Sequence, residues 1–122
     1  MVSVVCGQDM VIQDKLEWQD DSKTTTIKRD WHLANKHCKE LSLGGKSDWR
    51  LPSVSELYSI IDVKNFEPAI KKEFKNCKNN YYWSISEYAS DENYAWYVYF
   101  GSGSMNRNSK SSDFFVRCVR DR

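Results

Sequence analysis

Residues Gly44 to Glu56 read GGKSDWRLPSVSE, and this stretch decides how the first half of the chain is organised. Ser53-Val54-Ser55-Glu56 has the S-x-x-E spacing of a capping box, in which a serine hydroxyl and a glutamate carboxylate satisfy each other's backbone N–H groups at a helix start. Leu57, Ile60 and Ile61 then supply the buried side of that helix. Pro52 stands just before the cap, where its missing N–H is harmless, and it holds Leu51 extended. Trp49-Arg50-Leu51-Pro52 is therefore an extended connector with Trp49 and Leu51 on one side and Arg50 on the other.

Upstream, Asp30 is a good N-cap, and Trp31, Ala34, Cys38 and Leu41 recur at intervals of three, four and three, drawing one apolar stripe. This predicts a helix with Cys38 facing the core, closed by the Gly44-Gly45 pair. Met10-Val11-Ile12 and Leu16-Glu17-Trp18 predict two short strands with Asp14-Lys15 at their turn, and the polar run Asp20 to Thr26 a loop. Lys64 to Lys78 fits a short amphipathic helix or a structured loop. Three aromatic or β-branched runs follow, Tyr81 to Ile85, Tyr94 to Phe100 and Phe114 to Arg120, and each predicts a strand. Gly101 to Ser112 is polar and predicts a long loop, the kind of segment that carries function in compact domains.

The chain has 122 residues, a length suited to a single domain spanning 1–122. Five Trp and seven Tyr make its core aromatic. A net charge of +1 gives no global attraction to nucleic acid or to an anionic membrane. No apolar run approaches the roughly 18 residues of a membrane span, and no signal peptide is recognised in this sequence. Early helices with strands at the start and end predict an α+β domain, an antiparallel sheet carrying both helices on one side.

Cys6, Cys38, Cys77 and Cys118 lack zinc-like spacing, and their even number points to two disulfides, with three connectivities open. If the final strand joins the sheet, Phe114, Val116 and Cys118 share one face, and Cys38 and Cys118 both point into the helix–sheet interface. Bridging them would close a loop of about 80 residues, worth roughly 4 kcal/mol by loop-closure entropy. Cys6 with Cys77 would follow by elimination.

Trp31 to Leu57 (WHLANKHCKELSLGGKSDWRLPSVSEL), with YYWSIS at Tyr81 to Ser86, AWYVYF at Ala95 to Phe100 and FVRCVR at Phe115 to Arg120, resembles the Legionella collagen-like protein C-terminal domain family from about Val11 to Arg120. The resemblance implies a C-type-lectin-like fold with a twisted antiparallel sheet, two helices and long polar loops, in secreted, periplasmic or cell-surface bacterial proteins. It also implies that the first-helix and last-strand cysteines are joined. The family's namesake is a trimeric adhesin for sulfated polysaccharides. This sequence has no Gly-X-Y tract for collagen-like trimerisation, and Glu67-Pro68-Ala69 does not reproduce the calcium-dependent sugar motif of animal C-type lectins. The formylglycine-generating oxidases share the RLP segment and an ending like Phe-Arg-Cys, but they need a copper-binding cysteine pair near the C-terminus, where only Cys118 is present.

These readings predict a non-enzymatic recognition or adhesion domain whose long loops bind an acidic, sulfated glycan or a protein ligand. The candidate contacts are Tyr88, Asn93, Tyr97, Tyr99, Asn106, Arg107, Asn108 and Lys110, since exposed rings, amides and cations on loops make binding platforms. Lys71, Lys72, Lys75 and Lys78 form a second, basic cluster. On the strand Tyr94 to Phe100, Tyr94, Trp96, Val98 and Phe100 are expected in the core, and Tyr97 and Tyr99 on the opposite face. Arg50 and Arg117 are expected to make structural hydrogen bonds. No cofactor is predicted: His32 and His37 are five apart, not the i, i+4 of a metal pair, and Asp20-Asp21 and Asp91-Glu92-Asn93 lack the ligand spacing of a calcium loop. The alternative function is a structural or assembly domain that docks onto partner chains or copies of itself through exposed aromatics.

Overall fold

The computed structural model describes residues 9–122. The chain runs β1 (Met10–Gln13), β2 (Leu16–Gln19), a 3-10 turn (Ser22–Thr25), β3 (Lys28–Arg29), α1 (Trp31–Glu40), α2 (Val54–Ser59), β4 (Tyr81–Glu87), β5 (Tyr94–Tyr99), β6 (Ser104–Ser109), β7 (Phe114–Phe115) and β8 (Val119–Asp121). The class is α+β.

The stretch from Gly44 behaves in two ways. α1 begins as predicted, with the Asp30 carboxylate accepting the Leu33 N–H and with Trp31, Ala34 and Cys38 buried. It ends earlier than predicted, because Leu41 already turns extended at ψ 131°. Gly44 and Gly45, at φ +63° and +75°, instead form a tight turn closed by reciprocal Leu43–Lys46 backbone bonds of 3.0 Å. Two successive left-handed residues are what such a turn requires. A Cβ on Gly44 would also lie 2.5 Å from the Met10 sulfur.

Beyond the turn the prediction holds closely. Trp49 and Leu51 are buried, and Arg50 exchanges two 2.8 Å backbone bonds with Val119. Its guanidinium grips both Glu56 carboxylate oxygens at 2.9 and 2.8 Å and reaches Asp121 at 3.0 Å. Ser53 and Glu56 form the capping box. The connector thus ties α2 to the last strand.

The strands fall into two sheets rather than one: β1-β2-β8, all antiparallel, and β3-β7-β4-β5-β6, antiparallel except for the parallel β4–β7 pair. The run Phe114 to Arg120 is shared between them, because the chain leaves the larger sheet after Phe115 and joins the smaller at Val119. Alternation survives this transfer. Phe114, Val116 and Cys118 enter one core cluster with Trp31, Ala34 and Trp83, while Phe115 and Val119 enter another with Leu57, Ile60, Tyr82 and Val98.

Tyr82 and Trp83 are neighbours on β4 and project to opposite faces. Since α1 packs into the Trp83 cluster and α2 into the Tyr82 cluster, the helices flank opposite faces of the five-stranded sheet. The expected arrangement, with both helices on one side, is corrected here. Each helix has a single apolar stripe, and a sheet apolar on both faces can cover both.

Cys38 and Cys118 are bonded, their Cα atoms 5.4 Å apart. Cys6 lies outside the described residues, and so does its expected bond to Cys77; the Cys77 sulfur faces the Lys78 carbonyl. Burial pushes the Cys77 thiol pKa up. Of the two readings for Lys64 to Lys78, the structured loop is the one observed. It is pinned by Ala69 N–H to Phe100 O at 2.7 Å, by Lys71 N–H to Ile60 O at 3.0 Å, and by the Asp20 carboxylate, which accepts the N–H groups of Lys75 and Asn76.

Candidate functional site

Half of the segment Gly101 to Ser112, expected as a long loop, is strand. β6 pairs with β5 residue for residue from Tyr94↔Ser109 to Tyr99↔Ser104, leaving a tight turn through Gly103, at φ +81°, and a short turn at 110–112. Its sequence Ser-Met-Asn-Arg-Asn-Ser shows no apolar alternation because β6 is the sheet's outer strand, with its polar side chains largely in solvent. Polar edges of this kind protect sheets from unwanted pairing.

Register sorts the predicted contacts onto two faces. Arg107 is opposite Trp96, and its guanidinium carbon lies 4.5 Å from the centroid of the Tyr88 ring, which in turn meets Trp96 edge-on at 5.8 Å. Asn106 is opposite Tyr97, Asn108 opposite Ala95, and Ser104 opposite Tyr99, so these project to the other face. There Tyr81, Tyr97, Tyr99 and Phe114 form a half-buried aromatic patch with centroids 4.5 to 5.2 Å apart. Burial, with Tyr81 beside it, raises the Tyr97 hydroxyl pKa.

The expected core set on β5 is half right. Val98 and Phe100 are fully buried, but Tyr94 is 38% exposed and Trp96 half-buried, because the cluster beneath α2 extends over Val98 and Phe100 and not to the start of the strand.

Asn93 and Lys110 meet at the strand end. The Lys110 N–H donates to the Asn93 carbonyl at 2.8 Å, and the Lys110 carbonyl accepts the Trp31 N–H at 2.9 Å. The Lys110 side chain is not the free loop cation expected: only 8% of the residue is exposed, its ammonium sits 2.6 Å from Glu87 Oε2, and it lies 4.2 Å above the Trp31 ring. A cleft of about 460 Å³ opens here, lined by Glu87, Glu92, Asn93 and the Ser109–Ser111 strand end, with His32 from the first turn of α1. Glu87 was invisible in sequence as a site residue, because its pairing with Lys110, 23 positions away, depends on strand register.

The basic cluster is elsewhere. Lys72, Lys75 and Lys78 are exposed, whereas Lys71 reaches Gln13 Oε1 at 3.4 Å. No contact joins this cluster to Arg107 among the described residues. Arg117 and Arg50 are structural, as expected. Arg117 is fully buried and donates to Gln19 O at 2.6 Å, to Asp20 Oδ1 at 3.1 Å and to the Asn76 carbonyl.

Among the described residues no group of three or more His, Cys, Asp or Glu side chains is arranged to hold a metal. The Asp20 carboxylate is occupied by Arg117 and the Lys75 and Asn76 N–H groups, while Asp91 bonds the Asn93 N–H. His32 is exposed with its ring edge-on to Trp31 at 5.1 Å. His37 is half-buried, and burial together with the nearby Arg29 and Lys23 charges lowers its pKa.

These features define a small disulfide-stapled α+β domain that presents a polar hairpin, a stacked cation and a polar cleft on an aromatic frame. Sequence comparison is specific about its kin: the profile of the Lcl C-terminal domain matches residues 11–120, and the chain belongs to that family. Among curated proteins, no sequence matches it significantly.

Proposed function

We propose that the domain is a non-enzymatic recognition module of C-type-lectin-like architecture, secreted or displayed on a bacterial surface, that binds an acidic polysaccharide through its β5–β6 hairpin. The observation that carries this reading is Arg107. The residue is exposed on the outermost strand, forms no ion pair among the described residues, and has its guanidinium carbon 4.5 Å from the centroid of the Tyr88 ring. A cation over a ring contributes about 0.5–1 kcal/mol at an exposed site, and the N–H edge of this guanidinium meets no acceptor among the described residues. A sulfate or carboxylate accepts two parallel N–H groups from such an edge. Membership of the Lcl C-terminal domain family is consistent with a role in surface recognition.

The test is retention on immobilised heparin across a salt gradient. The reading expects salt-dependent retention that Arg107→Ala weakens, with the fold unchanged by circular dichroism. Retention indifferent to Arg107→Ala would remove the hairpin from the binding surface.

The aromatic patch supports a second reading, docking onto partner chains or copies of the domain. Four half-buried rings, Tyr81, Tyr97, Tyr99 and Phe114, lie together on one sheet face. Concentration-dependent association in sedimentation, lost in Tyr97→Ser and accompanied by no heparin retention, would favour it.

A further inference from the structure

The cleft between the start of α1, the turn before β5 and the end of β6 is chemically unlike the Arg107 surface. Its floor is the Lys110 ammonium, held where almost no solvent reaches it. An ammonium has three N–H donors. One is used by Glu87 Oε2 and a second faces the Trp31 ring, which leaves a third donor without a partner among the described residues. The second Glu87 oxygen, Oε1, likewise accepts nothing among the described residues, and the Glu87 side chain is 57% exposed. A charged donor and a charged acceptor thus stand side by side at the cleft.

The Lys110 backbone is bonded on one side to Asn93 and on the other to Trp31, and its side chain is packed over the Trp31 ring, so the ammonium is held in place before any ligand arrives. Groups fixed before binding lose little freedom when a ligand arrives. The balance of charge then selects the ligand. Two carboxylates, Glu87 and Glu92, face one ammonium, Lys110, so an anion meets net repulsion. The remaining lining, His32, Asn93, Ser109 and Ser111, is polar, so an apolar ligand would leave polar groups unpaired.

We propose that this cleft is a subsite for a neutral sugar, a pyranose with two adjacent free hydroxyls, one accepting from Lys110 and donating onward to Glu87 Oε1, its neighbour engaging Asn93 or Glu92. A hydroxyl both donates and accepts, which matches an ammonium–carboxylate pair and is matched by neither a sulfate nor an alkylamine. The subsite does not depend on the anionic contact at Arg107, and the two are separable by experiment.

The test is a two-dimensional ¹H–¹⁵N NMR titration of the whole 122-residue chain with the methyl glycosides of galactose, glucose and mannose, with glucuronate, and with ethanolamine. At least one neutral glycoside is expected to shift the Trp31 indole N–H and the Asn93 and Lys110 amides, with millimolar affinity. Glucuronate is expected to bind about tenfold more weakly, and Glu92→Gln to narrow that gap. Glu87→Gln, at a side chain exposed enough to leave the fold intact, should weaken the glycoside about tenfold, and Arg107→Ala should leave it unchanged. Lys110→Met should abolish it; if that variant unfolds, Glu87→Gln decides alone. The proposal is overturned if no neutral glycoside moves these signals, if ethanolamine alone does, or if Glu87→Gln binds as the parent does. Heparin retention lost in Arg107→Ala while glycoside shifts persist separates this subsite from the anionic surface.

Discussion

Arg117 and Asp20 form an ion pair of 3.1 Å with both side chains essentially inaccessible to water, and they join the segment that crosses between the two sheets to the loop after β2. The guanidinium also satisfies the carbonyls of Gln19 and Asn76 and lies 5.0 Å from the Phe74 centroid. Removing one partner of a buried pair strands the other charge. Arg117→Ala is therefore expected to destabilise the domain by about 3–5 kcal/mol in urea unfolding. Arg117→Lys should recover only part of this, because an ammonium cannot reproduce the forked contact.

The Cys38–Cys118 bond closes a separation of 80 residues and links the core stripe of α1 to the final segment. A native disulfide of this span is expected to contribute about 4 kcal/mol. The Cys38→Ser/Cys118→Ser pair should lower the melting temperature markedly, and non-reducing peptide mapping of the parent should recover Cys38 and Cys118 in one cross-linked fragment.

Acid should destabilise the domain in two separate windows. The Arg50 guanidinium, helped by the Ser53 N–H, holds the Glu56 carboxyl below its usual range. Its folded pKa is below its unfolded one, so its contribution is present above about pH 4.3 and is lost as pH falls further. Burial and the Arg29 and Lys23 charges lower the His37 pKa, so the folded state resists protonation there, and stability should also decline as pH falls through about 6.5. Urea midpoints against pH should show both slopes. Glu56→Gln should make the lower slope shallower, and His37→Gln should do the same to the upper.

Gly103 sits at φ +81° in the β5–β6 turn, and a Cβ there would come within 2.8 Å of Ile61 Cγ2. Gly103→Ala combines left-handed strain with that clash. It is expected to destabilise by more than the roughly 1 kcal/mol that a compatible site would gain from the same change. If the hairpin carries the ligand, heparin retention should fall along with stability.

What local chemistry dictates was legible in the sequence. Asp30 and the Ser53–Glu56 box set the helix starts, the Trp31 stripe set the buried face of α1, and period-two alternation placed Val116 and Cys118 together; each depends on neighbours within a few positions. The connector Trp49 to Pro52 was readable for the same reason. β6 was not, because a polar strand leaves no periodic trace: it forms through its pairing with β5, whose aromatic sequence does the marking.

The helices' opposite faces, the division of the last strand between two sheets, and the union of Lys110 with Glu87 belong to tertiary structure alone. Each depends on which distant segment supplies the matching surface or charge, and spacing along the chain carries no information about that. The sequence by itself determined the class of domain and its family, while among three possible cysteine connectivities the Cys38–Cys118 staple was implied only by the family resemblance and is established by the fold. The folded arrangement decided which cations remain free for a ligand, because whether a charge is answered within the fold is a property of the neighbours that packing brings to it.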